Sequence, residues 1–173
     1  MARRSVPLLA IRLLVLDVDG VLTDGRLHYG AGGESGKTFH ARDGFGIKTL
    51  IASGVTVAVI SGRSSAAVAQ RCAELGIAEL HQGIDDKATL FADLIGRLGV
   101  AANQCACVGD DTLDVSLMRR VGLAIAVRDA HQDALRAAHR RTKLPGGHGA
   151  VREVCDWLLA VRRRGVRNRP DKA

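Results

Sequence analysis

What most limits the fold of this chain is a recurring unit: a short apolar run that stops at a polar turn and is followed by a segment with helical spacing. The run LLVL at 13–16 stops at Asp17-Val18-Asp19-Gly20, VTVAVI at 55–60 stops at Ser61-Gly62-Arg63, and CACV at 105–108 stops at Gly109-Asp110-Asp111. Uninterrupted Val, Leu, Ile and Ala suit strands buried on both faces of a parallel sheet. Apolar residues recur at helical spacing over 43–53, 64–75, 87–98, 115–121, 131–138 and 149–161, and shorter strands are expected at 79–82, at 123–127 and near Thr142. Parallel strands need crossover connections, so the alternation predicts an α/β domain: a three-layer, Rossmann-like parallel sheet with right-handed crossovers.

A chain of 173 residues accommodates one well-buried domain and no second of ordinary size. That domain is expected to span 1–163, followed by a basic, disordered tail at 164–173. Much of the formal charge of +7 comes from Arg162, Arg163, Arg164, Arg167, Arg169 and Lys172, at and just before this tail. Aromatic residues make up only 3%, too few to stack bases, so the charge reads as a solvated end and no nucleic-acid partner is expected. Cys72, Cys105, Cys107 and Cys155 form no C-x-x-C pair, which fits a reducing compartment, and Cys105 and Cys107, alternating within an apolar stretch, read as small buried hydrophobes. Arg12 interrupts the apolar run that follows Arg3 and Arg4, which argues against a signal peptide, and no run approaches membrane-spanning length. A cytoplasmic protein with no membrane partner is expected.

Directly after the first acidic turn, Asp24-Gly25 leads into RLHYGAGGESGKTFH, where segments 26–29 and 37–40 flank a glycine-rich centre. This predicts a β-hairpin flap over about 25–40 with a long, mobile tip, either covering the site or serving as a plain surface loop.

A D-x-D-G after an apolar run is by itself as often a turn as a site. In a doubly wound sheet, however, every strand end of this kind lies on one edge, so residues 17, 19, 61, 87 and 110 converge. Lys87 opens a helix, where the dipole disfavours a cation, so another group must call for it there. Carboxylates with a few hydroxyls suit Mg²⁺, and Ser61 with Lys87 can hold phosphate oxygens. The constellation reads as a phosphoryl-transfer site.

At these residues the chain resembles the haloacid dehalogenase superfamily of aspartyl phosphotransferases. The resemblance implies that Asp17 is the nucleophile and Asp19 the general acid and base. It implies that Ser61 and Lys87 contact the phosphoryl group, and that Asp110 binds Mg²⁺ beside the Asp17 carboxylate and the Asp19 main-chain carbonyl. Asp111 and Asp114 would support that metal shell. The set DVDGVLTDG, RDG at 42–44, SGR, RCAELGI, HQGIDDK, VGDDTLD and GGHGAVREVCD is similar to the 3-deoxy-D-manno-octulosonate (KDO) 8-phosphate phosphatase family over about 13–159.

That family implies a fold without a separate cap domain and a homotetramer in which a flap and a neighbouring subunit close the site. It implies a sugar-acid phosphate substrate on the way to lipopolysaccharide. Arg63 would take the substrate carboxylate in a two-pronged contact, and arginine there favours the eight-carbon acid over the nine-carbon acid of the sister branch. Gly62, Arg42, Arg71 and His148 are further candidates on the substrate side. His148 stands where relatives often carry Arg or Lys, and Ser61 where many carry Thr. The remaining readings are a phosphoacceptor receiver domain, whose acid pair sits elsewhere in the topology, and a noncatalytic oligomerisation module, which intact catalytic positions argue against.

Overall fold

The computed structural model describes residues 11–167, with side chains described up to Arg163. The N-terminal Arg3 and Arg4 and residues 168–173 of the expected tail lie outside the described residues. In chain order the elements are β1 (Leu13–Leu16), a hairpin of β2 (His28–Gly30) and β3 (Gly33–Gly36), α1 (Ala41–Ala52), β4 (Thr56–Ile60), α2 (Ala66–Leu75), β5 (Glu79–His81) and α3 (Lys87–Leu98). They continue with β6 (Cys105–Gly109), α4 (Thr112–Met118), β7 (Leu123–Ala126), α5 (Gln132–Ala137), β8 (Arg140–Arg141) and α6 (Ala150–Arg167).

Six strands form one parallel sheet in the order β5-β4-β1-β6-β7-β8. From β1 the chain steps outward through β4 to β5, then returns to the other side of β1 and steps outward again through β6, β7 and β8. Right-handed crossovers in opposite directions put helices on opposite faces. Accordingly α1 packs on α6 and α2, and α4 packs on α3 and α5. The reversal of direction falls between β1 and β6, which is where open α/β sheets bind their ligands.

β1 is buried along its whole length, which is why its sequence shows no alternation of apolar and polar residues. The four cysteines are buried free thiols, as expected of Cys105 and Cys107, and burial raises the Cys105 thiol to about 11.

Three local departures from the sequence reading have clear causes. The hairpin tip is a two-residue turn, Ala31-Gly32, and the glycine-rich centre is itself the second strand. Gly33 at φ +101 supplies the backbone such a tight reversal needs, while Lys37 is drawn to Asp19 and His40 caps α1. α4 starts three residues early because the Asp111 carboxylate accepts from Thr112 N–H. α6 runs on to Arg167, past the expected end at 161 and into the first residues of the tail. Its Arg162 reaches back to the Ser53 carbonyl at 2.8 Å and the Ile11 carbonyl at 3.3 Å, tying that end of the helix to the sheet layer.

Candidate active site

β1 delivers Asp17 at the switch point, where its N–H donates to the Val108 carbonyl at 3.2 Å. The parallel register pairs Leu16 with Val59 on one side and with Val108 on the other. Ser61, just past β4, and Asp110, just past β6, therefore stand one residue beyond the level of Asp17 on the same edge. Lys87 reaches the edge from the first turn of α3. Its Nζ donates to Asp17 Oδ1 at 2.6 Å and to Asp114 Oδ1 at 2.7 Å, with only 4% of the residue exposed. These two carboxylates explain a cation at a helix start, and the Asp86 carboxylate, accepting from Ala88 and Thr89 N–H, meets the helix's own need for a cap.

Asp114 spends both oxygens on protein donors: Oδ1 on Lys87, and Oδ2 on the N–H groups of Asp110 at 2.9 Å and Asp111 at 3.3 Å. It shapes the acidic loop and leaves Asp17 and Asp110 to face outward. Asp111 contributes its N–H to this arrangement, while its own carboxylate caps α4. Gly20, at φ +88, lies so close to Asp110 that a Cβ would collide with its carboxylate, so the turn after Asp19 and the fourth-strand acid form one packed unit.

The electrostatics of this cluster fit a divalent cation. Carboxylate oxygens of Asp17, Asp110 and Asp114 all lie within 4.8 Å of one another. Burial, then repulsion from Asp17, Asp114 and Asp111, raises the Asp110 carboxyl to about 8, against the opposing pull of Lys87. Asp17 is likewise raised, by burial and then by Asp114, because one ammonium cannot balance three carboxylates. Burial pulls the Lys87 ammonium down, but Asp17 and Asp114 outweigh it and hold it above its ordinary value. A hard cation held at this cluster would relieve that repulsion, and the all-oxygen donors of the three carboxylates suit Mg²⁺.

The hairpin docks on this edge through residues that the sequence reading passed over. Lys37 Nζ donates to Asp19 Oδ1 at 2.5 Å and lies 3.5 Å from Glu34 Oε2, with its side chain 2% exposed. Arg63 Nη2 donates to Glu34 Oε2 at 3.0 Å and to the Tyr29 hydroxyl at 3.2 Å, and its Nε is 3.9 Å from Asp19 Oδ2. The Ser65 hydroxyl and the Arg63 guanidinium hold Glu34 below the usual carboxylate range, and Tyr29 and Glu34 hold Arg63 above its own. The Ser61 hydroxyl accepts from Arg63 N–H at 3.2 Å. The only sequence signal for Lys37 and Glu34 is two charges in an otherwise small, glycine-rich stretch next to the acidic turn.

The loop at 145–149 packs on the turn that carries Asp19. Gly147 N–H donates to the Val21 carbonyl at 3.0 Å, and a Cβ on Gly146 would collide with the Gly20 carbonyl. The loop therefore lies against the site region, but His148 itself is exposed. Arg42 is exposed on the first turn of α1, and Arg71 pairs with Glu74 at 3.1 Å and lies against Gly44. Among the described residues no hydrogen bond or ion pair joins Arg42, Arg71 or His148 to the carboxylate cluster.

Comparison with known proteins identifies the family. The sequence pattern of the haloacid dehalogenase-like hydrolases matches residues 79–152. The chain is 50% identical to the KDO 8-phosphate phosphatase KdsC of Escherichia coli K12 over 149 residues, 86% of this chain and 79% of that protein. The KDO 8-phosphate phosphatase of Moraxella catarrhalis, solved with magnesium, phosphate and KDO, superposes with a TM-score of 0.89 at 39% identity, covering 91% of each chain. The cobalt-bound phosphatase of Haemophilus influenzae gives 0.89 at 41% identity over 95% of this chain and 96% of that one. Half-identity over most of both chains, with the acidic edge intact, means that this phosphatase belongs to the KDO 8-phosphate phosphatase family of the haloacid dehalogenase-like hydrolases.

Proposed function

We propose that the enzyme is a Mg²⁺-dependent phosphatase that hydrolyses KDO 8-phosphate to KDO and phosphate through an aspartyl-phosphate on Asp17. The observation that carries this reading is the Lys87 bridge between Asp17 and Asp114 at the switch point, beside Asp110. Lys87 fixes one oxygen of Asp17, so the other is the nucleophile aimed out of the edge. When bound, Mg²⁺ offsets the repulsion between that anionic oxygen and an anionic phosphate.

Asp17 attacks phosphorus and the bond to the sugar oxygen breaks. Asp19 gives its proton to that departing oxygen. In the second half, Asp19 takes a proton from the water that attacks the phosphorus, and the bond from phosphorus to Asp17 breaks. The Ser61 hydroxyl and the Gly62 N–H donate to phosphoryl oxygens. Arg63 takes the substrate carboxylate, with Arg42 and Arg71 as further cations on the substrate side. In this reading the enzyme works in the cytoplasm, supplies lipopolysaccharide synthesis and assembles as a homotetramer whose neighbouring subunit helps close the site. Among the described residues no helix is long and apolar enough to cross a membrane.

The test is phosphate release from KDO 8-phosphate with Mg²⁺, which EDTA should abolish. Comparing kcat/KM for eight- and nine-carbon acids in wild type and Arg63→Glu checks the selectivity argument, and an unchanged ratio removes it. Light scattering is expected to give the mass of four chains, and a monomer mass would eliminate the assembly.

A further inference from the structure

Asp19, Lys37, Glu34 and Arg63 form a closed ring of alternating charge. Its sides are 2.5 Å from Asp19 to Lys37, 3.5 Å from Lys37 to Glu34, 3.0 Å from Glu34 to Arg63 and 3.9 Å from Arg63 to Asp19. Two corners belong to the hairpin and two to the core edge. Each Asp19 oxygen faces a cation, and one Arg63 nitrogen, Nη2, donates both to the Glu34 carboxylate and to the Tyr29 hydroxyl. Lys37, with its side chain 2% exposed, makes its two sides of the ring less screened than an exposed surface pair, while the Arg63 side chain, 41% exposed, is open to an incoming anion.

We propose that Glu34 is a specificity-determining residue: it closes this ring, and the substrate's own carboxylate opens it. The inference rests on the reading above, in which Arg63 binds a substrate carboxylate and Asp19 moves the proton. Glu34 occupies Arg63 in the way an incoming carboxylate would. A sugar-acid phosphate offers Arg63 a second carboxylate, better placed for a two-pronged contact. Displaced from Arg63, Glu34 no longer stands between Lys37 and Arg63, and their mutual repulsion then parts the two cations from around Asp19. Asp19 is then free to turn to the leaving oxygen. A phosphomonoester without a carboxylate leaves the ring closed and Asp19 held, so discrimination appears in kcat as well as in KM.

The leaving group separates this from a bracing role. Glycerol 3-phosphate has no carboxylate and an alkoxide leaving group that needs the Asp19 proton. p-Nitrophenyl phosphate releases a stabilised phenolate that does not. The ratio of their kcat values is measured for wild type, Glu34→Gln and Glu34→Ala. Opening the ring by mutation is expected to raise the glycerol 3-phosphate to p-nitrophenyl phosphate ratio about five-fold or more, the weight of one ion pair. A ratio that stays at the wild-type value or falls, in both variants, overturns the proposal. The wild-type kcat/KM for KDO 8-phosphate against glycerol 3-phosphate is read separately, and no preference there removes the underlying reading of a carboxylate-bearing substrate whatever the variants do.

Discussion

Asp17 and Asp114 share one ammonium, and that sharing sets what substitutions here will do. Replacing Lys87 by Met leaves two buried carboxylates without a counter-charge, so it should cost about 3–5 kcal/mol in stability and nearly all activity. Urea unfolding followed at neutral and acid pH checks this, since protonating the carboxylates at low pH should recover most of the loss. Asp17→Asn keeps the shape and removes the attacking oxygen. Phosphate release should fall by about three orders of magnitude or more while the fold persists, and release that survives the change would remove Asp17 as nucleophile. Asp17, Ser61, Lys87 and Asp110 were legible because each sits where an apolar run or a helix begins or ends, and Lys87 was conspicuous as a cation at a helix start. Lys37 and Glu34 were not, because what gives them meaning is the docking of the hairpin on Asp19 and Arg63, a contact that no local spacing encodes.

Two elements far apart in the chain hold the turn between Asp17 and Asp24. The loop at 145–149 covers it, and α6 in turn is anchored at its first turn, where the Asp43 carboxylate of α1 accepts from Arg152 N–H at 2.7 Å. Asp43 is 2% exposed and its other oxygen has no hydrogen-bond partner among the described residues, so burial raises its pKa above the usual range against the pull of that hydrogen bond. Gly146→Ala puts a methyl into the Gly20 carbonyl, and because both partners are backbone the turn itself must move. The expected result is a loss of about 2 kcal/mol or more, with kcat reduced more than ten-fold. Full activity in that variant would show that the loop does not brace the turn. Helix ends differ in legibility: α2 and α3 end at Leu75 and Leu98, where the helical spacing stops in the sequence, whereas the length of α6 depends on Arg162 finding the Ser53 carbonyl across the fold.

At the scale of the whole molecule, the sheet topology gathers more negative charge at the switch point than Lys87 balances, and this ties folding to the cation. A carboxyl raised in the folded state keeps a proton that the unfolded chain has already released. With Asp110 raised to about 8, and Asp17 raised beside it, these two groups' contribution to the stability of the metal-free protein is fully present below the unfolded carboxylate value of about 4 and is lost as pH rises through about 4 to 8. Mg²⁺ binds the ionised cluster and so competes with those protons. Thermal midpoints recorded in EDTA should therefore fall across this window, while those recorded with saturating Mg²⁺ should hold, the gap widening as pH rises. Asp110→Asn removes one of the repelling charges, so its midpoint in EDTA should fall less steeply than that of the wild type and its gain from Mg²⁺ should shrink. A gap between the EDTA and Mg²⁺ curves that stays constant from acid to neutral pH would mean that the repulsion is relieved within the protein, and the three-carboxylate edge would then not be what calls for the metal.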